Sequence, residues 1–147
     1  MKSLDETVWA VNPRNDTLPH LIDYIGQFAM EFLRTAGIGC TLDLPPHPPD
    51  WPVPADVRHH LFLCVKEALN NVVRHGQAGE VTVKLNVTPD GIALAIEDNG
   101  HGFVSVPASD SADGLRNMRQ RMEDSGGSFA IESSATGTRV SLRLPFP

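Results

Sequence analysis

The sequence predicts an α+β fold, a two-layer α/β sandwich in which a mixed, mostly antiparallel five-stranded sheet carries three helices on one face. Three observations predict it. Three stretches repeat apolar residues at helical spacing, and five short runs alternate or cluster as strands do. The central strands, between Val81 and Glu97, are too poor in polar residues to face water on both sides, so helices must cover one of them.

Leu4 to Ala10 reads as a short helical fragment that Asn12-Pro13 stops. Thr17 is placed to cap a helix from Leu18 to Thr35, whose apolar face holds Leu21, Ile22, Ile25, Phe28, Ala29, Phe32 and Leu33. Gly37 and Gly39 end it, and a short strand is expected from Cys40 to Leu44. The prolines between Pro45 and Pro54 leave an extended connector without regular structure. A helix comes next, from Ala55 to about His75, the longest periodic segment, ended by Gly76. Val81 to Val87 and Ile92 to Glu97 form a strand pair around the turn Pro89-Asp90-Gly91. Asn99 to Asp113, rich in Gly, Ser, Asp and Pro, reads as a loop. Gly114 to Ser125 is helical until Gly126-Gly127 breaks it. Ser128 to Ser133 and Thr138 to Leu144 make a final hairpin.

The chain has 147 residues, of which 41% are hydrophobic and 20% charged, the makeup of one globular domain with a proper core. A formal charge of −6 argues against broad binding to nucleic acid or to an anionic membrane surface, although Arg116, Arg119 and Arg121 form a local basic spot. The two cysteines, Cys40 and Cys64, lack metal-ligand spacing. Cys64 lies in an apolar helical stretch as a small buried hydrophobe, and a reducing compartment fits. The polar start MKSLDETVWA has no signal-peptide core, and no apolar run is long enough to span a bilayer. A cytoplasmic domain without direct membrane contact is expected, on a parent that is free to carry a membrane anchor.

Three segments carry chemistry. In VKEALNNVVRHG, Leu61, Val65, Ala68 and Val72 make an apolar stripe, while Glu67, Asn71, Arg74 and His75 share another face at i, i+4, i+7 and i+8. Two successive asparagines weaken a helix unless their side chains have work to do. Any one of these residues alone reads as part of a solvated stripe. Together, an acid, an amide, a cation and an imidazole suit a triphosphate. Mg²⁺ needs few protein oxygens, Arg74 neutralises phosphate, and Glu67 serves as a general base. In IEDNGHGF, Asp98 ends a strand where its carboxylate can accept a hydrogen bond from an exocyclic amine. Gly100 and Gly102 let a planar base approach the backbone. Taken alone, the same residues describe an ordinary Asn-Gly turn. In SADGLRNMRQRMEDSGG, Gly114 and Leu115 stand where a loop becomes a helix, and free N–H groups there favour anions. Gly137-Thr138 opens the last strand as a hairpin turn.

Their order and spacing, over residues 17 to 147, resemble the GHKL ATPases, which include sensor histidine kinases, DNA gyrase and the mismatch-repair ATPases. The N-box corresponds to Glu67 to His75, the first glycine box to Asp98 to Gly102, and the second to Gly114-Leu115. The runs KEALNNVVRH and GLRNMRQRMEDSGG look most like the catalytic domains of histidine kinases that pair with helix-turn-helix response regulators. VWAVNPRNDTL resembles the linker that follows their dimerisation helices. The likeness implies that residues 1–16 are the stub of a dimerisation helix with its linker, and that 17–147 are the ATP-binding catalytic domain, with the Bergerat fold.

What the resemblance implies for the site is specific. Asn71 ligates Mg²⁺, Asp98 holds the adenine amino group, Gly100 and Gly102 make room for the base, and Thr138 supports Asp98. Glu67 polarises the incoming nucleophile, Arg74 and His75 sit near phosphate or ribose, and Gly114 and Leu115 begin the helix behind a lid spanning Phe103 to Asp113. Arg121 matches a family position without a chemical role to give it. ATP with Mg²⁺ would donate its γ-phosphoryl group to a histidine on a separate dimerisation domain, for relay to an aspartate on a response regulator receiver domain. Two departures stand out. Ala112 replaces the first glycine of the usual Gly-x-Gly-Leu, which restricts the lid or weakens phosphate contact. None of His20, His47, His59, His60, His75 and His101 has the setting of an acceptor, so the fragment alone is expected to bind ATP and barely turn it over. The alternatives are a GHKL ATP hydrolase, a degenerate nucleotide-binding module, and a serine kinase of the anti-sigma-factor type.

Overall fold

The structure, a computed structural model, describes residues 17–76, 78–100 and 108–145. The proposed stub at 1–16 and residues 103–107 of the expected lid lie outside them. Three helices, α1 (Leu18–Thr35), α2 (Ala55–Asn71) and α3 (Ala108–Asp124), alternate with five strands. These are β1 (Gly39–Asp43), β2 (Glu80–Thr88), β3 (Gly91–Asp98), β4 (Ser128–Ser134) and β5 (Gly137–Pro145). The sheet order is β1-β2-β3-β5-β4. Only β1 pairs in parallel, with β2, and the other three ladders are antiparallel. The mixed, mostly antiparallel five-stranded sheet expected from the sequence is therefore present.

Alternation explains why the helices lie on one face. Val81, Val83 and Leu85 of β2 are buried, as are Ile92, Leu94 and Ile96 of β3 and Val140, Leu142 and Leu144 of β5. The residues between them, such as Lys84, Glu97 and Arg139, form surface ion pairs on the other side, with Glu97 3.3 Å from both cations. Onto the apolar face α1 lays Leu18, Leu21, Ile22, Ile25, Ala29 and Leu33, α2 lays Leu61, Val65, Ala68 and Leu69, and α3 lays Met118 and Met122. Each buried Leu, Ile, Val or Met among them contributes about 1.5–3 kcal/mol. Phe62 of α2 meets Tyr24 and Phe28 of α1 edge-on, at 5.2 and 4.9 Å between ring centres.

The structure corrects four details. Thr17 precedes α1 in an extended conformation, but its hydroxyl makes no cap bond and instead faces His20 Nδ1 at 3.0 Å. The first strand starts at Gly39 and ends at Asp43. The second helix stays α-helical only to Asn71 and continues as a π-helical turn, Val72–Gly76. The third begins at Ala108, so residues assigned to a loop make its first turns and Gly114 lies inside it. The buried Met118 and Met122 anchor the turns beyond. The proline connector behaves as expected, with one isolated bridge from Pro52 to Thr17.

Candidate functional site

Asp98 is the last residue of β3, the middle strand, and pairs across to Val81 on one side and Thr138 on the other. Its carboxylate accepts a hydrogen bond from the Gly100 N–H at 2.9 Å and another from the Thr138 N–H. Burial raises its pKa above the ordinary carboxylate value, and the two N–H donors pull the other way without cancelling the effect. Gly100 is buried against it. Thr138 is 7% exposed, and its hydroxyl shares a hydrogen bond with Ser133 Oγ at 3.2 Å. Gly137 has φ 153°, and a Cβ there would collide with the Asp98 carbonyl oxygen. A cavity of about 390 Å³ opens here, with Asp98, Ser133, Gly137 and Thr138 in its lining.

The second half of the arrangement is built on α2. Asn71, its final residue, is 4% exposed, and neither its Oδ1 nor its Nδ2 has a hydrogen-bond partner. A buried amide in that state costs about 1–3 kcal/mol per unsatisfied group, so its presence favours a ligand that brings a donor or a cation to it. One turn earlier the Glu67 carboxylate lies against the Cα of Gly114 on α3, where any Cβ would collide with Oε1. The missing side chain leaves room for that approach. Between the two helices lies a cavity of about 430 Å³, lined by Leu63, Lys66, Glu67, Asn70, Arg74, Asp113, Gly114, Asn117, Met118 and Arg121.

The walls of that groove are fixed. His60 Nδ1 meets the Arg121 carbonyl at 3.1 Å and Ser125 Oγ at 3.3 Å, and the Cys64 thiol donates to the Met118 carbonyl at 3.6 Å. With Glu67 meeting Gly114, these contacts run in opposite directions along the two helices, which makes them antiparallel. Arg121 therefore faces the same groove as Glu67. Both are felt by the Cys64 thiol, whose pKa burial pushes up to about 12, with Arg121 lowering it and Glu67 raising it.

The expected residues thus fall into two groups. Asp98, Gly100 and Thr138 meet at the end of β3, and Glu67, Arg74 and Gly114 meet across the groove. Asn71 is buried beside the second group without lining its cavity. Leu115 is half-buried against the core. Gly102 and the side chains of His75 and Ala112 lie outside the described residues. Ser133, Lys66, Asn70 and Asn117 join the two cavities without having been singled out in the sequence. Lys66, Asn70 and Arg74 at i, i+4 and i+8 were a readable signal, whereas Ser133 depends on the β4–β5 register. Among the described residues no three His, Cys, Asp or Glu side chains gather as a metal site. An ion at Asn71 would therefore take most of its oxygens from a bound ligand, which suits Mg²⁺ on a triphosphate.

Comparison with known proteins identifies the family and the fold. The family described as histidine kinase-, DNA gyrase B-, and HSP90-like ATPase matches residues 56–147. The sensor protein VraS of Staphylococcus aureus is 38% identical over 97 residues, which is 65% of this chain and 28% of that protein. The VraS of Staphylococcus haemolyticus matches to the same extent. This chain thus corresponds to less than a third of the curated relatives it matches. Among solved structures, the histidine kinase domain of the Erythrobacter litoralis EL346 blue-light activated histidine kinase superposes with a TM-score of 0.68. It is 23% identical, and the match covers 86% of this chain and 65% of that one. The histidine kinase AdeS of Acinetobacter baumannii gives 0.67 at 15% identity, over 99% of this chain and 76% of its own. At those identities the superpositions establish the fold, and the family match establishes the rest: the chain belongs to the histidine kinase-, DNA gyrase B- and HSP90-like ATPases, with sensor proteins among its relatives.

Proposed function

We propose that residues 17–147 are the catalytic ATP-binding domain of a sensor histidine kinase, preceded at 1–16 by the stub and linker of a dimerisation helix. The observation that carries this reading is the buried, unpartnered amide of Asn71, set beside a groove that holds a carboxylate and several cations. An interior amide with both atoms unsatisfied is rare in a folded protein unless a ligand completes it.

In this reading Asp98, held by two N–H donors, accepts a hydrogen bond from the adenine amino group, and Thr138 with Gly100 and Gly102 shapes the space for the base. Asn71 Oδ1 would hold Mg²⁺, which when bound offsets charge on the phosphates. Arg74 and His75 would lie towards phosphate or ribose, and Gly114, inside α3 rather than at its start, would leave room for Glu67 beside the phosphates, with Leu115 next to it. Glu67 would accept the N–H of an incoming imidazole and so raise the nucleophilicity of its other nitrogen. That nitrogen attacks the γ-phosphorus as the bond to the bridging oxygen breaks, giving a phosphoramidate and ADP, and most of the rate comes from positioning. The acceptor histidine belongs to a dimerisation domain, and an aspartate on a receiver domain takes the group onward. The domain works in the cytoplasm, and no helix among its described residues is long and apolar enough to cross a membrane.

Calorimetry with ATP and Mg²⁺ tests the site. Wild type should bind, and Asn71→Ala and Asp98→Ala should each abolish or sharply weaken binding. Mixing the chain with an acceptor domain should then yield an acid-labile phosphoprotein. Steady ATP hydrolysis without phosphoprotein would identify a hydrolase instead, and acid-stable phosphoserine would identify a serine kinase.

A further inference from the structure

The two ends of the proposed nucleotide site come from separate elements. Asp98 closes β3, Asn71 closes α2, and a nucleotide that touches both requires their separation to be held closely, because displacements near 1 Å cost reacting groups about a hundredfold in rate. One side chain ties the end of β3 to the start of β2, the strand that follows α2 and its π-helical turn. Asn99 follows Asp98 directly, and its Oδ1 accepts hydrogen bonds from the N–H groups of Gly79 at 2.9 Å and Glu80 at 3.0 Å. Its own N–H donates to the Glu80 carbonyl at 3.3 Å. Gly79 and Glu80 lie just beyond the π-helical turn Val72–Gly76 that prolongs α2. The Gly79 carbonyl in turn accepts the Gly39 N–H at 2.9 Å, which ties the same corner to β1.

The ladder explains why a side chain is needed there. The β2–β3 register runs from Thr88↔Gly91 to Val81↔Asp98 and stops. Past that last rung the backbone of Gly79 has no partner strand on the β3 side, and the Asn99 amide replaces one. A carbonyl with two lone pairs can serve two adjacent N–H groups at once, which an aliphatic side chain at this position cannot do.

We propose that Asn99 is a positioning residue: it fastens the Asp98–Gly100 end of β3 to the start of β2, where the chain arrives from α2, and so couples base recognition to metal and phosphate binding. The inference rests on the nucleotide-binding reading above. Asn99 itself need not touch the nucleotide.

Titrations with adenosine and with MgATP, on wild type, Asn99→Ala and Asn99→Asp, separate the coupling from simple damage, with thermal unfolding of each variant read first. Asn99→Ala should keep adenosine affinity within about twofold yet lose about tenfold in MgATP affinity, since the local collar of Asp98 stays and only its relation to Asn71 loosens. Asn99→Asp keeps an acceptor for both N–H groups and should bind MgATP within about threefold of wild type in 0.15 M salt, where a Debye length of about 8 Å screens the added charge. Equal losses for adenosine and MgATP in Asn99→Ala, or no loss for either, would overturn the proposal. If wild type fails to bind MgATP at all, it is the nucleotide reading that fails.

Discussion

At Asp98 a carboxyl group is held between opposing pulls, burial favouring its protonated form and two backbone donors its ionised form. Burial prevails, so its native pKa lies above that of an ordinary aspartate. Relative to the unfolded chain, protonation is the easier state, so the contribution of Asp98 to stability is fully present below its unfolded pKa and is lost as pH rises through the raised native one. Nucleotide binding runs the other way, since only the carboxylate accepts the adenine amine well. Affinity for MgATP should therefore fall on acidification at a higher pH than an ordinary aspartate would give. Asp98→Asn should remove that pH step, and should also cost about tenfold or more in affinity, because an amide turns a donor towards one of the two N–H groups. Calorimetry across pH checks both. Asn71 offers the complementary case. Asn71→Ala should leave the ligand-free protein as stable as wild type or more so, because it removes two unsatisfied buried atoms, while its Mg²⁺-dependent binding is lost. Thermal unfolding with and without MgATP reads the two effects apart.

Elements place these groups, and glycine decides how closely they approach. Gly114→Ala adds a methyl group inside α3, worth about 1 kcal/mol of helix propensity, yet directs it at the Glu67 carboxylate. The far end of a glutamate can swing aside, so thermal stability should change little while phosphotransfer drops. Gly137→Ala meets backbone instead, with φ at 153° and the Asp98 carbonyl in the way. It should lower stability by about 1–3 kcal/mol and weaken nucleotide binding together, in denaturant titration and calorimetry. The legibility of the sequence divides along similar lines. Leu18–Thr35 was readable to the residue because Leu21, Ile22, Ile25, Ala29 and Leu33 keep helical period and all are buried. The start of α3 was not. A run of Ser and Asp has the composition of a loop, since such residue types favour turns, and contacts further along decide otherwise. The π-helical turn after Asn71 also left no mark in the apolar pattern. Glu67, Asn71 and Asp98 could be picked out by type and spacing. Ser133 and Asn99 could not, since one depends on the register Ser133↔Thr138 and the other on two N–H groups nineteen and twenty residues away.

At the scale of the molecule the core is one continuous cluster drawn from all three helices and the inner face of the sheet. Cys64 reports on it. With its thiol buried and its pKa raised to about 12, it should resist alkylation at neutral pH until the domain opens. Its labelling rate in denaturant should track global unfolding, whereas fast labelling in buffer would contradict the packing described. The connector before α2 has a mechanical consequence. The Leu18 N–H donates to the Trp51 carbonyl at 2.8 Å, Thr17 bridges to Pro52, and the buried Arg58 donates to the Val53 carbonyl at 2.6 Å. A push or twist delivered to the chain ahead of Thr17 therefore has a short route: through this strap into the first turn of α2, and along that rigid rod to the amide at its far end.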